Sequence, residues 1–129
     1  MSGHLLDTNT ALRALTEPSS LNRPLRRMIE AGPNVLSTVA YWEVMLKTMK
    51  GLLVIDDPRT WWRDALDQLA AAPLVLRPEH VTELHSLPRI HKDPFDRMLI
   101  AQAAVEGLTL LTTDREMRSY ASKRIHIKW

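Results

Sequence analysis

The chain is 129 residues long, 45% hydrophobic and 25% charged, with a formal net charge of +2. This is the composition of one globular domain with room for a sizeable core, and its charge permits a polyanionic partner without demanding one. The lack of cysteine excludes disulfides and thiolate-held metals; no apolar run approaches the roughly 20 residues that span a bilayer and no signal-peptide pattern opens the chain, so a cytoplasmic location without membrane attachment is expected.

In chain order, His4-Leu5-Leu6 is a short apolar run that breaks at Asp7-Thr8-Asn9, and a helical pattern follows through Leu15. This reads as strand, carboxylate, helix. Pro18, Ser19 and Ser20 form a loop, and Ser20 or Asn22 then caps a second helix ending near Gly32. Leu21, Leu25, Met28 and Ile29 are its apolar stripe, and Arg23, Arg26 and Arg27 its basic face. Val35-Leu36-Ser37 is a second strand, after which Ser37 or Thr38 caps a helix running to Gly51. Glu43 lies inside that helix, where an exposed i,i+4 pair with Lys47 is its simplest role.

Asp56-Asp57-Pro58 caps a further helix, predicted to run through Ala71 and bearing Trp61, Trp62, Leu66 and Leu69. Two adjacent tryptophans cannot both face one core stripe, so one of them is expected on a groove or partner surface. Leu74-Val75-Leu76 is a third strand, and Pro78 starts a short helix to about His85. His80 and His85 are expected on the surface, since no metal-type spacing links them.

The stretch His91–Gly107, HKDPFDRMLIAQAAVEG, is punctuated at both ends: Asp93 as N-cap, Pro94 at the first helical position, Gly107 as the stop. Between them almost no polar face remains, which predicts a buried helix. Yet Asp96 sits in its first turn, and a carboxylate buried without a partner costs several kcal/mol. The positive helix end, Arg97 or Arg89 could each supply modest compensation. Leu108–Thr113 is a fourth strand ending at Asp114, a short helix starts at Arg115, and Ile125-His126-Ile127 is the last strand. Alternating strands and helices predict a single α/β domain over residues 1–129, with a central parallel sheet of four to five strands covered on both faces.

Four carboxylates converge in this reading. Asp7 and Asp114 each follow an apolar strand, and ligands bind in the crevice at the carboxyl ends of such strands. Glu43 is within two turns of the start of a helix that leaves the same edge. Asp96 opens the buried helix that leads to the strand ending at Asp114, and its placement depends most on the fold. Each has a role as a cap or salt bridge, but four like charges on one edge require compensation. Hard oxygen ligands suit Mg²⁺ or Mn²⁺, and a carboxylate-held pair of such ions is a standard arrangement for phosphodiester hydrolysis.

The pieces LLDTN at Leu5–Asn9, S-x-x-x-x-W-E from Ser37 to Glu43, HKDPFDRMLIAQA from His91 to Ala103 and LLTTD at Leu110–Asp114 together resemble a PIN-domain ribonuclease, specifically the VapC-like toxin of a toxin–antitoxin pair. The resemblance implies a three-layer α/β/α sandwich, an endoribonuclease whose acidic metal site falls on Asp7, Glu43, Asp96 and Asp114, and Thr112 as a supporting hydroxyl. It also implies a homodimer and neutralisation by a cognate antitoxin. Asp93 is assigned to the cap, with a supporting place behind the metal ligands. Arg97, Arg89, Lys92, Lys47 and Arg115 are the candidates for contacts to RNA phosphates, Arg97 first because it adjoins Asp96. Two other classes compete. A metal-dependent phosphatase with an aspartyl nucleophile would carry a second aspartate two residues after Asp7, where this chain has Asn9. A non-catalytic module of the same fold would bind RNA or protein through the same surface without cleaving.

Overall fold

The structure, a computed structural model, describes all 129 residues. The sheet is built from β1 (His4–Leu6), β2 (Asn34–Ser37), β3 (Ala71–Leu74), β4 (Thr109–Leu111) and β5 (His126–Lys128). Its order is β3-β2-β1-β4-β5 and every pairing is parallel. Six α-helices flank it: α1 (Thr8–Thr16), α2 (Arg23–Ala31), α3 (Thr38–Met49), α4 (Pro58–Gln68), α5 (Pro78–Glu83) and α6 (Pro94–Glu106). This is the expected α/β/α sandwich, with five strands.

Strand alternation explains the three layers. Successive side chains point to opposite faces, so Leu5, Val35 and Leu110 join one core while Leu6, Leu36 and Leu111 join the other. The first core is closed by the buried face of α6, with Leu99, Ile100 and Ala103, and by Met117 and Tyr120. The second is closed by Ala11 of α1, Leu25 of α2 and Ala65 of α4. In the central strands Leu5–Leu6, Val35–Leu36 and Leu110–Leu111 are continuous apolar pairs because both faces are covered there.

The helix starts follow capping chemistry. Asp7, Asn22, Ser37, Asp57 and Asp93 each accept a backbone N–H of the first turn. Gly107 ends α6 in the left-handed region, where an L side chain is strained. Gly3 carries a signal that the sequence reading passed over. It has φ +110°, and a Cβ there would collide with the carbonyl oxygen of Pro33, the same oxygen that accepts His4 N–H at 2.9 Å and joins β1 to β2.

Several expectations need correction. The third strand is Ala71–Leu74, not Leu74–Leu76, and α4 ends at Gln68. The apolar run Leu74-Val75-Leu76 favoured a strand there, but Ala70 turns the chain at φ +48°. The Ala-Ala-Pro segment then pairs with β2 at the sheet edge, where Pro73 is tolerated. Beyond Leu74 the chain leaves the sheet: Val75 is exposed and Leu76 N–H donates to Thr38 Oγ1. The fourth strand is shorter than predicted, and the last is shifted by one residue. No α-helix follows Arg115; a 3-10 turn, Met117–Tyr120, stands there instead.

His80 is fully buried rather than on the surface, while His85 is exposed. His80 Nδ1 accepts Arg77 N–H at 3.0 Å and its Nε2 lies 2.8 Å from Glu106 Oε2, so a polar network satisfies it within the core. Trp61 and Trp62 are both half-buried against the second core, and both stack on Tyr41 at 5.9 and 5.0 Å. The exposed tryptophans are Trp42, which packs edge-on against Phe95, and Trp129.

Candidate active site

The sheet order places the site. The chain leaves β1 toward β2 and β3 on one side, whereas β4 and β5 lie on the other. The carboxyl ends of β1 and β4 therefore border the switch-point crevice of an open parallel sheet. Asp7 follows β1 directly, and its N–H donates to Leu111 O at the end of β4. Asp114 lies three residues beyond Leu111. α3 brings Glu43 to the same crevice and α6 brings Asp96. The result is a cavity of about 330 Å³ with no hydrophobic residue in its lining, where Asp7, Glu43, Asp93, Asp96 and Asp114 meet. All four carboxylates singled out from the sequence are thus gathered in one place.

Each is held differently. Asp7 is 3% exposed; its Oδ1 accepts Thr10 N–H at 2.8 Å and its Oδ2 accepts the Thr112 hydroxyl at 2.5 Å. Burial pushes the Asp7 carboxyl up, and the charge of Asp114 adds to this, against the lowering effect of the Thr10 and Thr112 hydrogen bonds. Asp96 Oδ2 lies 2.7 Å from His91 Nε2. Burial, followed by the charges of Asp93, Asp7 and Glu43, raises the Asp96 carboxyl to about 7 in spite of that bond. Asp114 Oδ1 accepts Glu116 N–H at 2.8 Å, making a turn where the sequence suggested a helix cap. Glu43 Oε2 lies 3.8 Å from Lys47 Nζ, the expected i,i+4 pair, while Glu43 Oε1 is buried with no hydrogen-bond partner.

Thr112 joins two of the acids. Its buried hydroxyl donates to Asp7 and accepts Asp114 N–H at 2.9 Å. Asp93 is the N-cap of α6, accepting from both Phe95 N–H and Asp96 N–H. Thr112→Val keeps the shape and deletes both bonds. It is expected to cost about 1.5–3 kcal/mol, the worth of a hydrogen bond to a charged group, whereas Thr112→Ser should restore most of it. Urea unfolding of the three proteins measures the difference, and a Val variant as stable as wild type would contradict the bridging role.

The basic candidates divide. Arg89, Lys92 and Arg97, together with His91, line a second polar cavity of about 400 Å³ beside the first. Arg97 is anchored from behind: Nη1 donates to Pro88 O at 2.8 Å and to the Tyr120 hydroxyl at 3.1 Å, and Nη2 donates to Leu84 O at 3.4 Å. It makes no ion pair with Asp96. Lys47 lines the acidic cavity, and Arg115 is exposed on the turn after Asp114.

One side chain at the edge of the site escaped the sequence reading. His91 stands between the two cavities, with Nε2 2.7 Å from Asp96 and 3.5 Å from Asp114, and Nδ1 2.7 Å from Glu116. Burial acts to lower its pKa, but the bond to Asp96 and the charges of Asp96, Asp114 and Glu116 outweigh it and raise the imidazolium above its ordinary 6.5. His91 precedes the helix, so no periodicity marks it, and only its place in HKDPFD could have drawn notice.

The donor chemistry of the acidic cavity fits a divalent cation. The donors are hard oxygens, two of the carboxyls are raised by burial and mutual repulsion, and a buried oxygen of Glu43 has nothing to bind.

Comparison with known proteins gives the following. The family model described as "PIN domain" matches residues 4–123. Among solved structures, the chain is similar to a chain of the DNA-bound VapBC complex of Salmonella typhimurium, at 17% identity and a TM-score of 0.71, covering 99% of this chain and 98% of that one. It is similar to a chain of VapBC2 of Rickettsia felis bound to a promoter DNA fragment, at 15% identity and a TM-score of 0.70 with the same coverage. FitAcB of Neisseria gonorrhoeae is a third, at 17% identity and a TM-score of 0.65, covering 96% and 95%. No curated protein matches in sequence.

Proposed function

The chain belongs to the PIN domain family, and from that premise we propose that it is the toxin of a toxin–antitoxin pair, acting as a Mg²⁺- or Mn²⁺-dependent endoribonuclease. The observation that carries this reading is the gathering of Asp7, Glu43, Asp96 and Asp114 around one wholly polar cavity at the switch point of the sheet. The similar solved structures, each a toxin–antitoxin complex or its like, support the biological setting.

In this reading Asp7, Glu43, Asp96 and Asp114 are the metal ligands. A divalent ion bound there supplies a water of lowered pKa and a positive charge for the phosphate oxygens. The chain's own residues do the rest. Thr112 ties the Asp7 carboxylate to the backbone N–H of Asp114, and Asp93 holds the first turn of α6 so that Asp96 faces the cavity. Arg97, braced on Pro88, Leu84 and Tyr120, presents its guanidinium to the neighbouring polar cavity, where Arg89 and Lys92 can follow a phosphate backbone. A single-stranded or looped RNA suits these two open cavities, because its backbone can enter and its bases can splay away. The exposed apolar side chains, Trp42 among them, suit a second copy of the chain and an antitoxin segment. Together with the RNA substrate, the lack of cysteine suits a cytoplasmic protein.

Expression of the wild-type chain is expected to arrest growth and to leave newly cut RNA ends, and co-expression of the neighbouring antitoxin should relieve both. Mapping RNA ends after brief induction tests this. Growth arrest without any new ends would count against the nuclease and favour the binding module.

A further inference from the structure

His91 lies where a ligand would, and its surroundings decide which nitrogen it offers. Nδ1 lies 2.7 Å from Glu116 Oε2. A carboxylate accepts and does not donate, so Nδ1 carries the hydrogen in that bond. In the metal-free protein Nε2 donates likewise to Asp96 Oδ2 at 2.7 Å, with Asp114 Oδ2 at 3.5 Å. A cation held between these acids would displace that hydrogen and take the Nε2 lone pair, as metal binding releases protons from its ligands. Nε2 and one oxygen of each of these two acids lie within 4.8 Å of one another. The backbone is fixed as well: His91 N–H donates to the Tyr120 hydroxyl at 2.7 Å, and Tyr120 is itself buried. A carboxylate bound to one ring nitrogen while the other faces a cation site is how proteins orient a ligating histidine.

We propose that His91 Nε2 is a ligand of the metal centre alongside Asp96 and Asp114, with Glu116 as the carboxylate that orients it. This rests on the metal-dependent reading given above and adds a nitrogen to an otherwise all-oxygen set. The consequence is metal preference. Mg²⁺ takes oxygen donors and keeps its waters, whereas imidazole suits first-row transition ions. The site therefore favours Mn²⁺ over Mg²⁺, and the preference resides in His91.

The test is metal binding by the full chain, measured by calorimetry with Mn²⁺ and Mg²⁺ separately, and pulsed electron paramagnetic resonance of the Mn²⁺ complex. Wild type should bind Mn²⁺ more tightly than Mg²⁺ and show a nitrogen coupling on bound Mn²⁺. His91→Ala should weaken Mn²⁺ by at least about 10–100-fold, weaken Mg²⁺ less, and abolish the coupling. Glu116→Ala, at an exposed side chain whose loss leaves the fold alone, should keep the coupling and weaken Mn²⁺ by about tenfold. Wild type binding both ions with no nitrogen coupling, or His91→Ala binding as wild type does, would overturn the His91 assignment and leave the carboxylate site standing. No binding of either ion by folded wild type would overturn both.

Discussion

Asp96→Asn is expected to leave the protein folded and to slow RNA cleavage by at least about a thousandfold. The substitution changes one oxygen for an amide nitrogen and preserves the packing around the first turn of α6. It removes a metal ligand, and metal stabilisation of phosphoryl charge is worth several kcal/mol, about a factor of a thousand or more. The amide also cannot carry the charge that Asp93, Asp7 and Glu43 now oppose. Asp7→Asn should behave alike for cleavage, but it also weakens the anchoring of a buried group that accepts from Thr10 and Thr112. Cleavage rates on one RNA, with circular dichroism to confirm folding, measure both. A folded Asp96→Asn protein that cuts as fast as wild type would remove Asp96 from the site.

Metal-free stability is expected to fall as pH rises from about 4 toward 8, and added metal should counter the fall. The Asp96 carboxyl is raised from 3.8 to about 7. Between those values the folded state holds a proton that the unfolded state has lost, so each step up in pH favours unfolding, and the effect levels off above about 7. His91 is also raised, so the stability it contributes is present below its ordinary 6.5 and is lost as pH climbs through its higher folded value. The two act in the same direction. Asp96→Asn should flatten the profile and, without metal, be as stable as wild type or more so at pH 8. Mn²⁺ or Mg²⁺ at ten times its dissociation constant should add about 1.4 kcal/mol to wild type, a few degrees of melting temperature. The gain should shrink at pH 5, where protons compete for the same groups. Thermal melts across pH, with and without metal, read all of this. A wild-type profile that rises from pH 5 to 8 without metal would contradict the account.

How much could be read in advance follows from where the information lies. Local chemistry marks Asp7, Ser37, Asp57 and Asp93 as caps, and each caps a helix. The apolar runs at Leu5–Leu6 and Leu110–Leu111 are strands because a sheet covered on both faces needs nothing else of them. From those strands and the parallel topology, the gathering of Asp7 and Asp114 follows, and Glu43 and Asp96 come with their helices. Features set by distant partners were not legible. Ala71–Leu74 has weak strand character and becomes β3 only because β2 offers an edge. His80 is buried because Glu106 and Arg77 meet it there. Trp61 and Trp62 both find cover because Tyr41 stacks on them, which no helical wheel of α4 alone contains. His91 belongs to the site through Asp114 and Glu116, more than twenty residues away, and Gly3 matters because Pro33 passes beside it.

The central claim, hydrolysis of RNA at a carboxylate-held metal, is tested most directly with the purified chain and a labelled single-stranded RNA, comparing no added metal, Mn²⁺, Mg²⁺, and each metal with excess EDTA. Internal cleavage that appears with the metal and disappears with EDTA is the predicted result. RNA that is cut equally well in EDTA, or that is bound by the folded protein and left intact with both metals, would contradict it.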